Sequence, residues 1–94
     1  MAILKVKVSN MRSARGNDVP NQFEIQTPKG RFFQSYYSTI VFIDNKGNVY
    51  LDKYKWDYST TTGKYRNQFL GDYGIKETRE KIKSGEYKLK NLNQ

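Results

Sequence analysis

Alternation of apolar and polar positions is the first signal along this chain. Leu4, Val6 and Val8 are separated by Lys5 and Lys7, the period of a half-buried strand with a basic outer face. Residues 10–18, NMRSARGND, have no period and carry Arg12, Arg15 and Gly16, so they read as a basic loop. Phe23 and Ile25 then alternate with Gln22, Glu24 and Gln26, and Thr27-Pro28-Lys29-Gly30 sets Pro and Gly where a tight turn wants them. A third strand is predicted from about Arg31 to Ile43. DNKG at 44–47, with Gly47 placed for a type I turn closed by a bulge, leads into a fourth strand from about Asn48 to Tyr58. On that fourth strand Val49, Leu51, Lys53 and Lys55 fall on one face, and Tyr50, Tyr54, Trp56 and Tyr58 on the other. The second face is an aromatic stripe, expected to be mostly core.

The period then changes. Ser59 stands where a helix N-cap belongs, before Thr60, Thr61 and Thr62, and Gly71 follows Leu70 as a C-terminal glycine. A helix over 60–70 is predicted, with Thr62, Tyr65 and Phe69 on its packed side and Lys64, Asn67 and Gln68 away from it. A second helix over about 76–84 is supported by the pair Glu77 and Lys81 at i,i+4 and ends at Gly85. The closing EYKLKNL adds a short strand or packs without one. The fold class expected is α+β: one domain, a four-stranded, mostly antiparallel meander, then two C-terminal helices packed on one face.

Composition sharpens this picture. The chain is 36% hydrophobic and 15% aromatic, so much of a small core must come from Tyr, Phe and Trp, and core and ligand platform compete for the same residues. Seventeen Lys and Arg against nine Asp and Glu give +8. Residues 1–50 hold seven basic and three acidic groups and residues 51–94 hold ten and six, so each part contributes +4 and the charge belongs to the folded body. The chain contains no cysteine and no histidine. That removes disulfides, thiolate nucleophiles, the usual zinc ligands and the commonest general base, and no cofactor is implied. The longest apolar run, Ile40 to Ile43, is too short to span a bilayer, and MAILKVKV lacks the apolar stretch of a signal peptide. A reducing, cytoplasmic setting is expected.

TTTGKY has the Gly-Lys of a nucleotide-binding loop but not its spacing. The motif needs an earlier glycine four residues before the Gly-Lys and a Ser or Thr after it, whereas Lys64 is followed by Tyr65. Asp52 and Asp57, five apart on one predicted strand, point to opposite faces and make no direct carboxylate pair, so an enzyme is not expected. Basic side chains beside exposed aromatics do suit single-stranded DNA or RNA, bound with little sequence preference. The residues assigned to that contact are Arg12 and Arg15 in the loop, Lys29 and Arg31 about the first turn, and Tyr36, Tyr37 and Tyr58 as exposed rings. Lys53 and Lys55 on the open sheet face complete it, with Lys64 and Arg66 on the helix. Trp56, Tyr65 and Phe69 are expected to hold that helix to the sheet. The alternative is a module that docks on another protein.

Three blocks, FQSYYSTI, KWDYSTTTGKYRNQFLG and IKSGEYKLKNLN, resemble a family of short, uncharacterised proteins encoded by tailed bacteriophages and related mobile elements. The likeness runs over most of the chain. It implies a phage origin and action in the host cytoplasm, and it supplies no activity or binding residues. In that setting the protein-docking alternative becomes inhibition or redirection of a host protein such as a defence nuclease or polymerase.

Overall fold

A computed structural model describes residues 5–93. Six strands form one sheet in the order β1-β2-β3-β4-β5-β6: β1 (Lys7–Arg12), β2 (Asp18–Thr27), β3 (Gly30–Ser35), β4 (Ser38–Asp44), β5 (Val49–Asp52) and β6 (Tyr87–Lys90). Helices α1 (Thr60–Leu70) and α2 (Ile75–Ser84) lie between β5 and β6. The first five strands are an antiparallel meander, and β6 runs parallel to β5 because the two helices carry the chain back to the other end of the sheet. The expected α+β class holds. The sheet has six strands rather than four.

The turns explain both the agreement and the difference. Pro28 and Lys29 form the two-residue loop between the paired Thr27 and Gly30. Gly47, at φ 89°, closes the next turn with its N–H on Asp44 O, and Asp44 N donates to Asn48 O, the bulged turn that DNKG predicts. The predicted third strand is in fact two, since the chain reverses at Tyr36 and Tyr37 between the paired Ser35 and Ser38. The fourth strand stops at Asp52, whose carboxylate accepts from the N–H groups of Tyr54 (3.2 Å), Lys55 (2.9 Å) and Leu92 (2.8 Å) and so holds residues 53–57 in a turn. Lys53 and Lys55 therefore lie on a turn, not on a sheet face. The aromatic stripe does not exist as a strand face: Tyr54 is 70% exposed, while Leu51, from the opposite face, is core.

Alternating register puts Phe33, Val41 and Leu51 in one row under the helices. Ile40 joins them because the register shifts between Phe33 and Gln34, which lets two successive β4 residues be buried. Met11, Tyr65 and Tyr87 complete the core, with Trp56, Phe69, Leu70 and Ile82 packed against it. Ser59 caps α1, its Oγ accepting from Thr62 N at 3.1 Å, and Gly71 and Gly85 end the helices at φ 77° and 88°. Phe69 stacks on Phe33 at 5.8 Å, and Ser35 and Thr62 share a buried hydrogen bond of 2.8 Å.

The first strand corrects another expectation. Val6 and Val8 are each 59% exposed, because they stand on the sheet face away from the helices. Leu4 lies outside the described residues. Residues 10–12 of the predicted loop are strand, and the reversal is confined to 13–17.

The second helix is locked to β6 by a buried carboxylate. Asp72 accepts from Thr78 (2.8 Å), Lys81 (3.0 Å) and Tyr87 OH (2.8 Å). Burial pushes the Asp72 carboxyl up, but hydrogen bonds from Thr78, Lys81 and Tyr87 outweigh it and hold it below the ordinary value. Burial, with the Asp72 charge beside it, pushes the Tyr87 phenol up to about 12.

Candidate nucleic-acid interface

Two turns meet at one end of the sheet. The β3–β4 turn puts Tyr36 at φ 55°, a conformation that costs a bulky side chain about 1–2 kcal/mol. It is held there by Tyr36 N donating to Asn21 O (2.6 Å) and Gln34 Nε2 donating to Tyr36 O (2.7 Å). Tyr37, the next residue, is 99% exposed. The 53–57 turn brings Lys53, Tyr54 and Lys55 to the same end, and Tyr58, 55% exposed, follows it. Lys55 ties the turns together, its Nζ donating to Ser38 Oγ at 2.9 Å. Lys53 Nζ lies 5.1 Å from the Tyr54 ring and Lys55 Nζ 5.9 Å from the Tyr58 ring. Of the acids flanking these lysines, Asp52 is buried and committed to backbone N–H groups, and Asp57 faces Arg66 and Arg79, each at 3.7 Å, so the charge balance of the turns is positive.

The fold thus brings together Tyr36, Tyr37, Lys53, Lys55 and Tyr58. Tyr54 joins them, missed because continuing the strand alternation past Asp52 placed it in the core; an Asp followed by a turn was the available signal. Arg12 and Arg15 stand at the same end but across the sheet, on the β1–β2 side. Arg12 is engaged by Asp18 at 3.5 Å and Gly16 O at 3.0 Å. Lys29 is at the opposite end, in the β2–β3 turn. Arg31 lies on the helix-covered face, paired with Glu24 at 3.1 Å and 5.1 Å from the Phe69 ring. Lys64 is exposed on α1 and lines a hollow with Asp57, Ser59 and Arg66.

Arg66 is not a surface cation. It is 1% exposed, donates to Trp56 O and to Asn67 Oδ1 (2.6 and 2.9 Å), lies 5.3 Å from the Trp56 ring and faces Asp57 at 3.7 Å. Burial lowers its pKa from the ordinary arginine value, against the pull of Asp57. Its role is to fasten α1 to the 53–57 turn. The side of the helix could not be read from spacing because Trp56 and Asp57 come round to meet it.

Among the described residues no group of three acidic side chains is arranged to hold a metal ion, and no helix is long and apolar enough to cross a membrane. The features define a small α+β domain with a tyrosine- and lysine-bearing end. The chain belongs to DUF8033, a family of unknown function, whose model matches residues 6–85. Neither the curated proteins nor the solved structures offer a match.

Proposed function

We propose that the chain binds single-stranded nucleic acid with little sequence preference at the tyrosine-bearing end of the sheet. The observation that carries this reading is the pair of joined turns: Tyr37 fully exposed beside a backbone conformation that disfavours Tyr36, bridged by Lys55 to Lys53, Tyr54 and Tyr58. Backbone strain kept at a bulky residue supports a role for the side chains it displays. Tyrosine rings stack on any base, and ammonium groups beside them meet phosphates, so affinity without sequence readout is the expected outcome. The phage origin that the sequence resemblance implies fits a small basic binder acting in the host cytoplasm.

The test is fluorescence anisotropy with labelled oligo-dT and oligo-U at about 50 mM salt, where phosphate contacts are strongest. Micromolar or weaker binding is expected, reduced by about 1–3 kcal/mol in Tyr37→Ala if its ring carries a base. Absence of any shift with either oligonucleotide would overturn the proposal.

A further inference from the structure

The sheet face away from the helices carries an apolar row that the core does not use. Register aligns Val8, Ile25, Phe32, Phe42, Tyr50 and Lys88 directly across all six strands. Phe23, two residues from Ile25 on β2, shares that face. None of these apolar side chains belongs to the core or to the residues packed against it. Phe32 and Phe42 stack at 4.5 Å, and Phe42 and Tyr50 at 6.0 Å. At the first of those spacings each ring already covers a face of the other, so the row is poorly suited to take stacked bases. It is suited to bury apolar side chains.

Lysines mark the β6 end of this face. Lys88 ends the row, and Lys90 Nζ sits 5.7 Å from the Tyr50 ring. Of the two acids at positions of the same face, Asp52 is buried and accepts from Tyr54, Lys55 and Leu92 N–H, while Asp44 sits at the β4–β5 turn, away from β6, and accepts from Lys46 N, Asn48 N and Asn48 Nδ2. A second copy would set lysines against lysines on a chain of +8. We infer that this face docks an amphipathic helix of an acidic partner protein, apolar side toward Val8, Ile25, Phe32 and Phe42, acidic flank toward Lys88 and Lys90. The row spans five strand spacings, about 24 Å, which about 16 residues of helix match. The other face of the same sheet is already closed by helices, the layer this architecture uses. Charge complementarity and apolar area together favour a protein here over nucleic acid.

The probe is a synthetic 18-residue helical peptide with leucines at i, i+3, i+4 and i+7 and glutamates flanking them, against a scrambled peptide of equal composition and charge. Binding is followed by amide chemical shifts of the labelled protein. The expected result is at least tenfold tighter binding of the helical peptide, with shifts at Val8, Ile25, Phe42 and Tyr50. Lys88→Glu with Lys90→Glu, and separately Val8→Thr, should each weaken it at least fivefold with an unchanged melt, since all three positions are exposed. Equal binding of the two peptides, or shifts confined to Tyr37 and Lys55, overturns the inference. So does sedimentation showing a dimer that Val8→Thr dissociates, or oligo-dT shifting the Phe42 and Tyr50 amides in place of the peptide.

Discussion

Replacing Arg66 by Gln distinguishes a structural arginine from a phosphate contact. Loss of the guanidinium leaves Trp56 O without its 2.6 Å donor, and an unpaired buried acceptor costs about 1–3 kcal/mol. The cation over the Trp56 ring at 5.3 Å adds about 1–2 kcal/mol, and the shorter side chain leaves space beside Gly63, where the guanidinium now lies 3.6 Å from the position a Cβ would take. Asp57 is partly open to water and keeps Arg79 at 3.7 Å, so its contribution is small. The sum is about 3–5 kcal/mol. At about 4–8 °C of Tm per kcal/mol for a domain of this size, the melt should fall by at least 12 °C. Lys64→Gln, on the exposed side of the same helix, should stay within about 0.5 kcal/mol of the parent. Circular dichroism melts of the two variants decide the matter. If Arg66→Gln melts with the parent while its affinity for oligo-dT drops, the side chain works at the surface and the burial argument is wrong.

Two further outcomes follow from the fold. Gly30 stands at φ 146°, and a Cβ there would meet Ile43 O and lie 2.9 Å from both Asp44 Cα and Phe42 Cε1, so Gly30→Ala should cost roughly 3–5 kcal/mol by strain and overpacking; Gly16→Ala, with φ 80° but open space around it, is the control, and equal urea midpoints for both would contradict the steric account. Asp72 has a folded pKa below its unfolded value of about 4, so its contribution is complete above that pH and is lost as pH falls through it, whereas Tyr87, raised to about 12, contributes below about pH 10 and loses that as pH rises toward 12. Melts across pH should therefore sag at both ends, and Asp72→Asn should flatten the acid limb; an acid limb of unchanged slope would show that the carboxylate is not held down.

What was legible in the sequence followed local chemistry. Ser59, Gly71 and Gly85 marked the helix ends because capping is decided by one or two residues. Pro28 and Gly47 marked their turns for the same reason. The Tyr36–Tyr37 reversal was hidden because neither residue favours positive φ, and only the contacts from Asn21 and Gln34 make it tenable. The end of β5 was hidden because Asp52 terminates it with a side chain that an alternation count ignores. Exposure of Val8 depends on which face of the sheet the two helices cover, which no window of residues contains. Arg66 fails for the same kind of reason: its partners, Trp56 and Asp57, lie ten and nine residues back and reach it only through the 53–57 turn.

These placements also limit how strong the proposed nucleic-acid contact can be. Of the cations assigned from sequence, Arg66 is internal, Arg12 and Arg31 are paired with acids, and Lys29 is at the far end of the sheet. Lys53 and Lys55 remain at the tyrosine turns, with Arg15 across the sheet and Lys64 on α1. Two or three neutralised phosphates give a log–log salt slope of about −1.4 to −2.1 for a single strand. A fourfold drop in salt should then tighten binding by about 7- to 20-fold and no more. Most of the remaining affinity must come from stacking, so Tyr37→Ala should weaken binding without changing the slope, while Lys53→Gln and Lys55→Gln should each lower it by about 0.7. A slope near six would require cations from several sides of the chain and would place the strand along a path that the two turns do not define.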